Sequence, residues 1–156
     1  MSTFKDRAFH PLIRASLSGT FGNDPMARFL ADHGTVLPGS DLPGAMKLGP
    51  IKQCFRNAWA ATLRYGFDYW EGYAWDPRCG LRPFYHAWCV DPVDDRVRDT
   101  TWRDATDVVY LGVHVPTESL IENLDRTEMF GILDKGRRFE HGTAAHLWDW
   151  VDKPRR

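Results

Sequence analysis

At Gly66 the periodicity of this chain changes, and that change limits the folds open to it. Before it, Phe55, Ala58, Trp59 and Thr62 recur at helical spacing in QCFRNAWAATLRYG, so one face of a helix can be buried, and Gly66 supplies its stop. After it, DYWEGYA, FYHAWCV, DRVRDTT and DVVYLGVHV read as successive strands, with turns at DPRCGLRP and DPVDD. One helix followed by strands on short turns predicts an α+β fold, with the helix packed on an antiparallel sheet and further helices at both ends. In the second of these strands Phe84, His86, Trp88 and Val90 point one way, and Tyr85, Ala87 and Cys89 the other.

The flanks are read more coarsely. Ser2 to Leu17 can hold a short helix interrupted by Pro11. Asp24 to His33 is a clearer helix, with Asp24 as cap, Pro25 in the first turn, Met26, Phe29 and Leu30 on one face, and Gly34 at its end. From Thr35 to Lys52 the run LPGSDLPGAMKLGP opposes helix and central strand alike, so a loop lying against the domain is expected. Two helical segments, PTESLIENLDRTEMFGILDKG and GTAAHLWDWVD, close the chain with Thr117 and Thr143 as candidate caps. With 156 residues and a hydrophobic fraction of 43%, the expectation is a single domain over 1–156, in which 1–50 form an N-terminal helical and loop extension.

Charge and composition exclude several classes. A formal net charge of -1 gives no overall field to draw nucleic acid or an anionic membrane, so neither is an expected partner. No apolar run approaches the roughly 20 residues needed to span a bilayer, and MSTFKDRAFH lacks the apolar stretch of a signal peptide. Three cysteines, Cys54, Cys79 and Cys89, form no CxxC pair, which fits a reducing compartment; a cytoplasmic location is expected. His10, His33, His114, His141 and His146 show no metal-binding spacing, and no glycine-rich phosphate loop is present. No cofactor and no metal are therefore expected.

Chemistry concentrates in three residues on different elements. Cys54 falls in the first turn of its helix, where unpaired N–H groups and the helix dipole favour a thiolate. His86 can take the thiol proton and return it to a leaving group if a carboxylate fixes its other nitrogen. Asp99, on the strand returning across the DPVDD turn, can reach it because neighbouring strands lie about 5 Å apart; Asp91, Asp94 and Asp95 compete for the role. A thiol, an imidazole and a carboxylate in this order form a nucleophile, a base and an orienter for acyl transfer. Its bland counterpart is a small buried cysteine and a solvated carboxylate.

The sequence of features, Cys54 opening a helix, then Gly72-Tyr73 in EGYA, then His86-Ala87-Trp88, then Asp99-Thr100-Thr101-Trp102, resembles the transglutaminase-like branch of the papain-like cysteine enzymes. Thr100 stands where proline is common in that branch. The resemblance spans roughly Gln53 to Val115. It implies a papain-like core and a cysteine-dependent reaction at an amide or ester through a thioester, with a peptide, a protein or a small amide as substrate. Proteolysis, deamidation and transamidation share this machinery.

Such chemistry also needs an oxyanion hole. The backbone N–H of Cys54 is one donor; Gln53, through its side-chain amide, and Asn57, one turn after Cys54, are candidates for a further donor or for binding substrate. Trp75 and Trp102, each near a loop, are the aromatic residues best placed to line a cleft, whereas Trp59 and Trp88 suit a core. His114 is an alternative base. The rival reading is a catalytically silent module on the same fold that holds a peptide or protein, or acts as an inhibitor.

Overall fold

The helix foreseen from Cys54 ends where Gly66 takes a left-handed φ of 71° and donates its N–H to the Thr62 carbonyl at 3.0 Å. A residue with a Cβ would be strained there. In the structure, a computed structural model that describes residues 25–80 and 83–133, the order of elements is α1 (Pro25–His33), β1 (Thr35–Pro38), α2 (Cys54–Tyr65), β2 (Asp68–Trp75), a 3-10 turn (Pro77–Cys79), β3 (Phe84–Asp91), β4 (Arg96–Arg98), β5 (Val109–Val115) and α3 (Thr117–Thr127). The architecture is α+β. The expected helix within 2–17, the Asp24 cap and the helix capped by Thr143 lie outside the described residues.

All five strands are antiparallel, in the order β1-β5-β2-β3-β4. The last strand in sequence is therefore inserted between β1 and β2 rather than added beyond β4. Gly72 of β2 makes this close approach possible: a Cβ there would come within 2.1 Å of the Leu111 carbonyl oxygen. The pleat divides the core as the alternation of β3 predicts. Ala87 and Cys89 face α2, packing with Ala58, Ala61, Tyr69, Tyr73, Leu111 and Val113, while Trp88 and Val90 lie on the opposite face with Trp70, Ala74, Val97 and Tyr110. The sheet curls enough for Ser40, just past β1, to donate a hydrogen bond to the Val97 carbonyl of β4 at 2.5 Å, although the two strands are opposite edges.

Two expectations need correction. Thr35–Pro38, read as loop because of the Pro and Gly that follow, is strand β1, paired with β5 from Thr35↔Gly112 to Pro38↔Val109. As an edge strand it tolerates Pro38 at its end. The face shared by Met26, Phe29 and Leu30 packs into the core on the α2 side, with Met26 and Leu30 fully buried. Thr117 is the first residue of α3 rather than its cap; Pro116 occupies the cap position and makes no side-chain cap bond.

The remainder of the 35–52 segment does lie against the domain, and it brings α2 to the site. Gly39, Leu42 and Gly49 donate backbone hydrogen bonds to the carbonyls of Val108, Arg103 and Thr100 at 2.7, 2.9 and 2.8 Å. Arg103 returns the favour, donating to the carbonyls of Pro43 and Met46. The start of α2 is thereby tied to the stretch that follows β4.

Candidate active site

β4 pairs with β3 only from Asp91↔Arg96 to Cys89↔Arg98, so beyond Cys89 the edge of β3 has no strand beside it. The chain turns there, and the turn carries Asp99. Asp99, expected on the returning strand, sits one residue past its end, where its carboxylate meets an open edge rather than a ladder. It is completely buried, and it accepts four hydrogen bonds. Oδ1 accepts the backbone N–H groups of Thr101 at 2.9 Å and Trp102 at 3.3 Å; Oδ2 accepts His86 Nε2–H at 2.8 Å and the Tyr110 hydroxyl at 2.8 Å. A buried carboxylate needs this satisfaction.

The competing acids go elsewhere. Asp94 and Asp91 take the Arg98 guanidinium at 2.6 and 3.4 Å, and Asp95 turns the hairpin with a φ of 56°. Those contacts hold the β3–β4 hairpin together. His114, the alternative base, lies 3.7 Å from Asp68 and beside Trp70.

His86 points to the face of Trp88 and Tyr110, opposite the face on which Ala58 and Ala61 of α2 pack. Cys54 nevertheless acts on the ring electrostatically, because it is the first residue of α2 and lies toward the end of β3 at which the sheet edge is open. With Nε2 given to Asp99, Nδ1 is the nitrogen left for the thiol. Trp102 stacks on the imidazole with centroids 4.0 Å apart and planes 6° from parallel, and Phe84 meets the ring edge-on at 5.7 Å. Burial, the largest single influence, pulls the imidazole pKa down. The Asp99 charge and hydrogen bond, followed by those of Cys54, outweigh it and raise the pKa to about 9. At neutral pH the ring is therefore cationic, a state that the electron-rich face of Trp102 also favours.

Cys54 is half-buried, whereas Cys79 is exposed and Cys89 fully buried. Burial pushes the Cys89 thiol up to about 12; it donates to the Ala58 carbonyl at 3.1 Å and acts as packing between β3 and α2.

The remaining predicted residues divide. Asn57 is buried and donates to the Pro50 carbonyl at 2.9 Å and to the Thr101 hydroxyl at 3.0 Å, so it ties the base of the Cys54 helix to the Asp99 turn. That role explains Gly49, since a Cβ there would strike the Asn57 side chain at 2.0 Å. Gln53 is exposed, and its side-chain oxygen accepts from Arg56 at 3.4 Å. Trp75 is a core residue: it is 1% exposed and still paired in β2 opposite Val109, so the pleat, not a loop, sets its direction. Trp102 reaches the site as the stacking partner of His86.

A cleft of about 500 Å³ is lined by Gln53, Phe55, Arg56, Tyr85, Met129, Phe130 and Gly131. Its walls flank Cys54 in sequence on both sides, though Cys54 itself is not one of them.

Two functional candidates escaped the sequence reading. Tyr110 is buried on the His86 face, which its place in the β5 alternation predicts only once the register is known. Glu71, fully buried on the α2 face, accepts the hydroxyls of Tyr69 and Tyr85 at 2.6 Å each and the N–H groups of Ile132 and Leu133 at 2.8 Å each. Its signal was a charge set inside the otherwise apolar and aromatic run YWEGYAW. Among the described residues no group of three or more His, Cys, Asp or Glu is arranged to hold a metal, and no helix is long and apolar enough to cross a membrane.

No family model, curated protein or solved structure matches this chain.

Proposed function

We propose that this protein is a cysteine-dependent hydrolase or acyl transferase, similar in its chemistry to the transglutaminase-like branch of papain-like enzymes and acting on an amide or ester of a peptide, a protein or a small molecule. The observation that carries the reading is the buried Asp99–His86 pair at 2.8 Å, whose imidazole also feels Cys54 at the start of α2. A cationic imidazole is the partner that a cysteine nucleophile requires.

The steps follow from these positions. With the Cys54 proton held on His86, the thiolate sulfur forms a bond to the carbonyl carbon, and the carbonyl π pair moves to the oxygen, which takes the negative charge. The N–H groups at the start of α2, which have no partner within the helix, stand where that charge develops. As the C–N or C–O bond breaks, His86 gives its proton to the leaving group and becomes neutral. Water or an amine then attacks the thioester, His86 takes the proton of the attacking group, and the C–S bond breaks to regenerate the thiolate. Throughout, Asp99 holds the tautomer with the proton on Nε2 and balances the imidazolium.

The test is acylation by a p-nitrophenyl ester, read by intact mass and peptide mapping. One acyl group on Cys54, with release of p-nitrophenolate and no such adduct in Cys54→Ala, is the expected result. Acylation or alkylation no faster at Cys54 than at exposed Cys79 refutes the reading and favours the silent binding module.

A further inference from the structure

The cleft lined by the sequence neighbours of Cys54 has walls held by fixed contacts. One wall is Phe55 of α2 and Tyr85 of β3, whose rings lie 4.8 Å apart. The other is Met129, Phe130 and Gly131, a stretch with no regular structure that needs an anchor to keep its shape. It has several. Asn123 donates to the carbonyls of Met129 and Gly131 at 2.9 and 3.3 Å, and Phe130 packs edge-on against Trp59 at 5.8 Å. Immediately after the wall, the consecutive N–H groups of Ile132 and Leu133 both end on the Glu71 carboxylate, which also accepts the Tyr85 hydroxyl from the facing wall. One buried carboxylate thus fastens both walls at a set separation. A volume of about 500 Å³ is in the range of small-ligand sites.

The lining specifies what fits. Phe55, Tyr85, Met129 and Phe130 present apolar surface, and among the described residues the one charged side chain lining the cleft is the exposed Arg56, which donates a long 3.4 Å hydrogen bond to Gln53. We infer that this cleft seats the acyl donor: a bulky aromatic or long aliphatic side chain between Phe55 and Phe130, with a carboxylate of the same molecule directed to Arg56. The inference rests on the reading of Cys54 as an acyl-accepting nucleophile, because it assigns this cleft to the group that nucleophile takes up. Glu71 is its positioning residue and touches no substrate.

Binding without chemistry tests it. The Cys54→Ala protein is titrated with 3-phenylpropionate, 3-phenylpropionamide and propionate, observed by backbone amide shifts. Saturable binding of 3-phenylpropionate, with shifts gathered at 53–56 and 129–131, is expected, while propionate does not bind measurably. The amide binds about threefold more weakly, the worth of an exposed charge pair, and Arg56→Gln abolishes that difference. Gly131→Val, whose Cβ falls at an ordinary 3.5 Å from the Phe55 ring, fills the cleft and removes the aromatic ligand without loss of cooperative melting. Absence of saturable binding, shifts gathered elsewhere, or binding indifferent to Gly131→Val overturns the inference. Ester acylation of the wild-type protein is read separately: binding without acylation at Cys54 retains the cleft and discards the nucleophile, and acylation without binding does the reverse.

Discussion

Replacing Asp99 by Asn keeps the size of the side chain and removes the charge that holds His86, so its consequences follow closely from the geometry. Asp99 accepts hydrogen bonds at both oxygens: two backbone N–H groups on Oδ1, His86 and Tyr110 on Oδ2. A carboxamide that keeps its oxygen toward the backbone donors turns its NH2 toward His86. The ring must then accept at Nε2 and carry its proton on Nδ1, the wrong tautomer for taking a proton from Cys54. The Coulombic support of Asp99 also disappears, leaving burial, the largest influence, opposed only by the smaller contribution of Cys54. The imidazole pKa should fall from about 9 to 6.5 or lower, a loss worth about 3 kcal/mol of preference for the cation. Because the folded pKa lies above the unfolded value, this contribution to stability is fully present below pH 6.5 and is lost as the pH rises through about 9. Wild type should therefore exceed Asp99→Asn in melting temperature most at pH 6, and the gap should narrow by pH 10. Turnover of an activated ester should drop by about two orders of magnitude or more, with little change in KM. The assays are titration of the His86 ring by NMR and steady-state kinetics. An unchanged His86 titration, or near-normal turnover in Asp99→Asn alongside an inactive Asp91→Asn, refutes the assignment.

Cys54→Ala should abolish turnover while leaving the melting transition cooperative and little shifted, as seen by calorimetry beside the ester assay, since the half-buried thiol fills no core cavity. Tyr110→Phe removes one of four hydrogen bonds to Asp99 and should cost about 1 kcal/mol in denaturant melts and slow turnover by about threefold to tenfold. Cys79→Ser should change neither activity nor stability, whereas Cys89→Ala should lower stability by about 1 kcal/mol and leave kcat intact, because its contacts are to Ala58 and Thr62. Glu71→Gln should cost about 2 kcal/mol or more, since an amide brings a donor to a site where all four partners donate.

What the sequence disclosed was what local periodicity encodes. The α2 span from Cys54 to Gly66 and the two faces of β3 follow from spacing alone, because a helix repeats every 3.6 residues and a strand every two. The place of β5 between β1 and β2 was not legible, since strand order depends on non-local pairing that no local pattern records. β1 was missed for a related reason: four residues before Gly39 are too few to show alternation, and only the partner β5 makes them a strand. Trp75 was misjudged from its nearness to a loop. Cys54, His86 and Asp99 were legible as a set because each has a distinctive local setting, whereas Tyr110 and Glu71 are ordinary strand residues until the sheet is assembled.

The two buried carboxylates also differ in a way that favours Asp99, and not Glu71, as the orienter in the proposed chemistry. Each accepts four hydrogen bonds and each is shielded from water. The partners differ in kind. Glu71 meets only neutral donors, two phenols and two amides, and burial raises its pKa despite all four. That network holds the sheet to the 129–133 segment and is at its best when nothing moves. Asp99 has three neutral donors and one imidazole, and that imidazole also feels a thiol on a different element. A charge gained or lost at His86 is felt by Asp99 at 2.8 Å within a site from which water is excluded, where such interactions are strongest. A proton moving between sulfur and imidazole thus changes the energy of the Asp99 pair and leaves the neutral donors of Glu71 as they were. This asymmetry, rather than burial or hydrogen-bond count, is what would separate an orienting carboxylate from a structural one on the two faces of the same sheet.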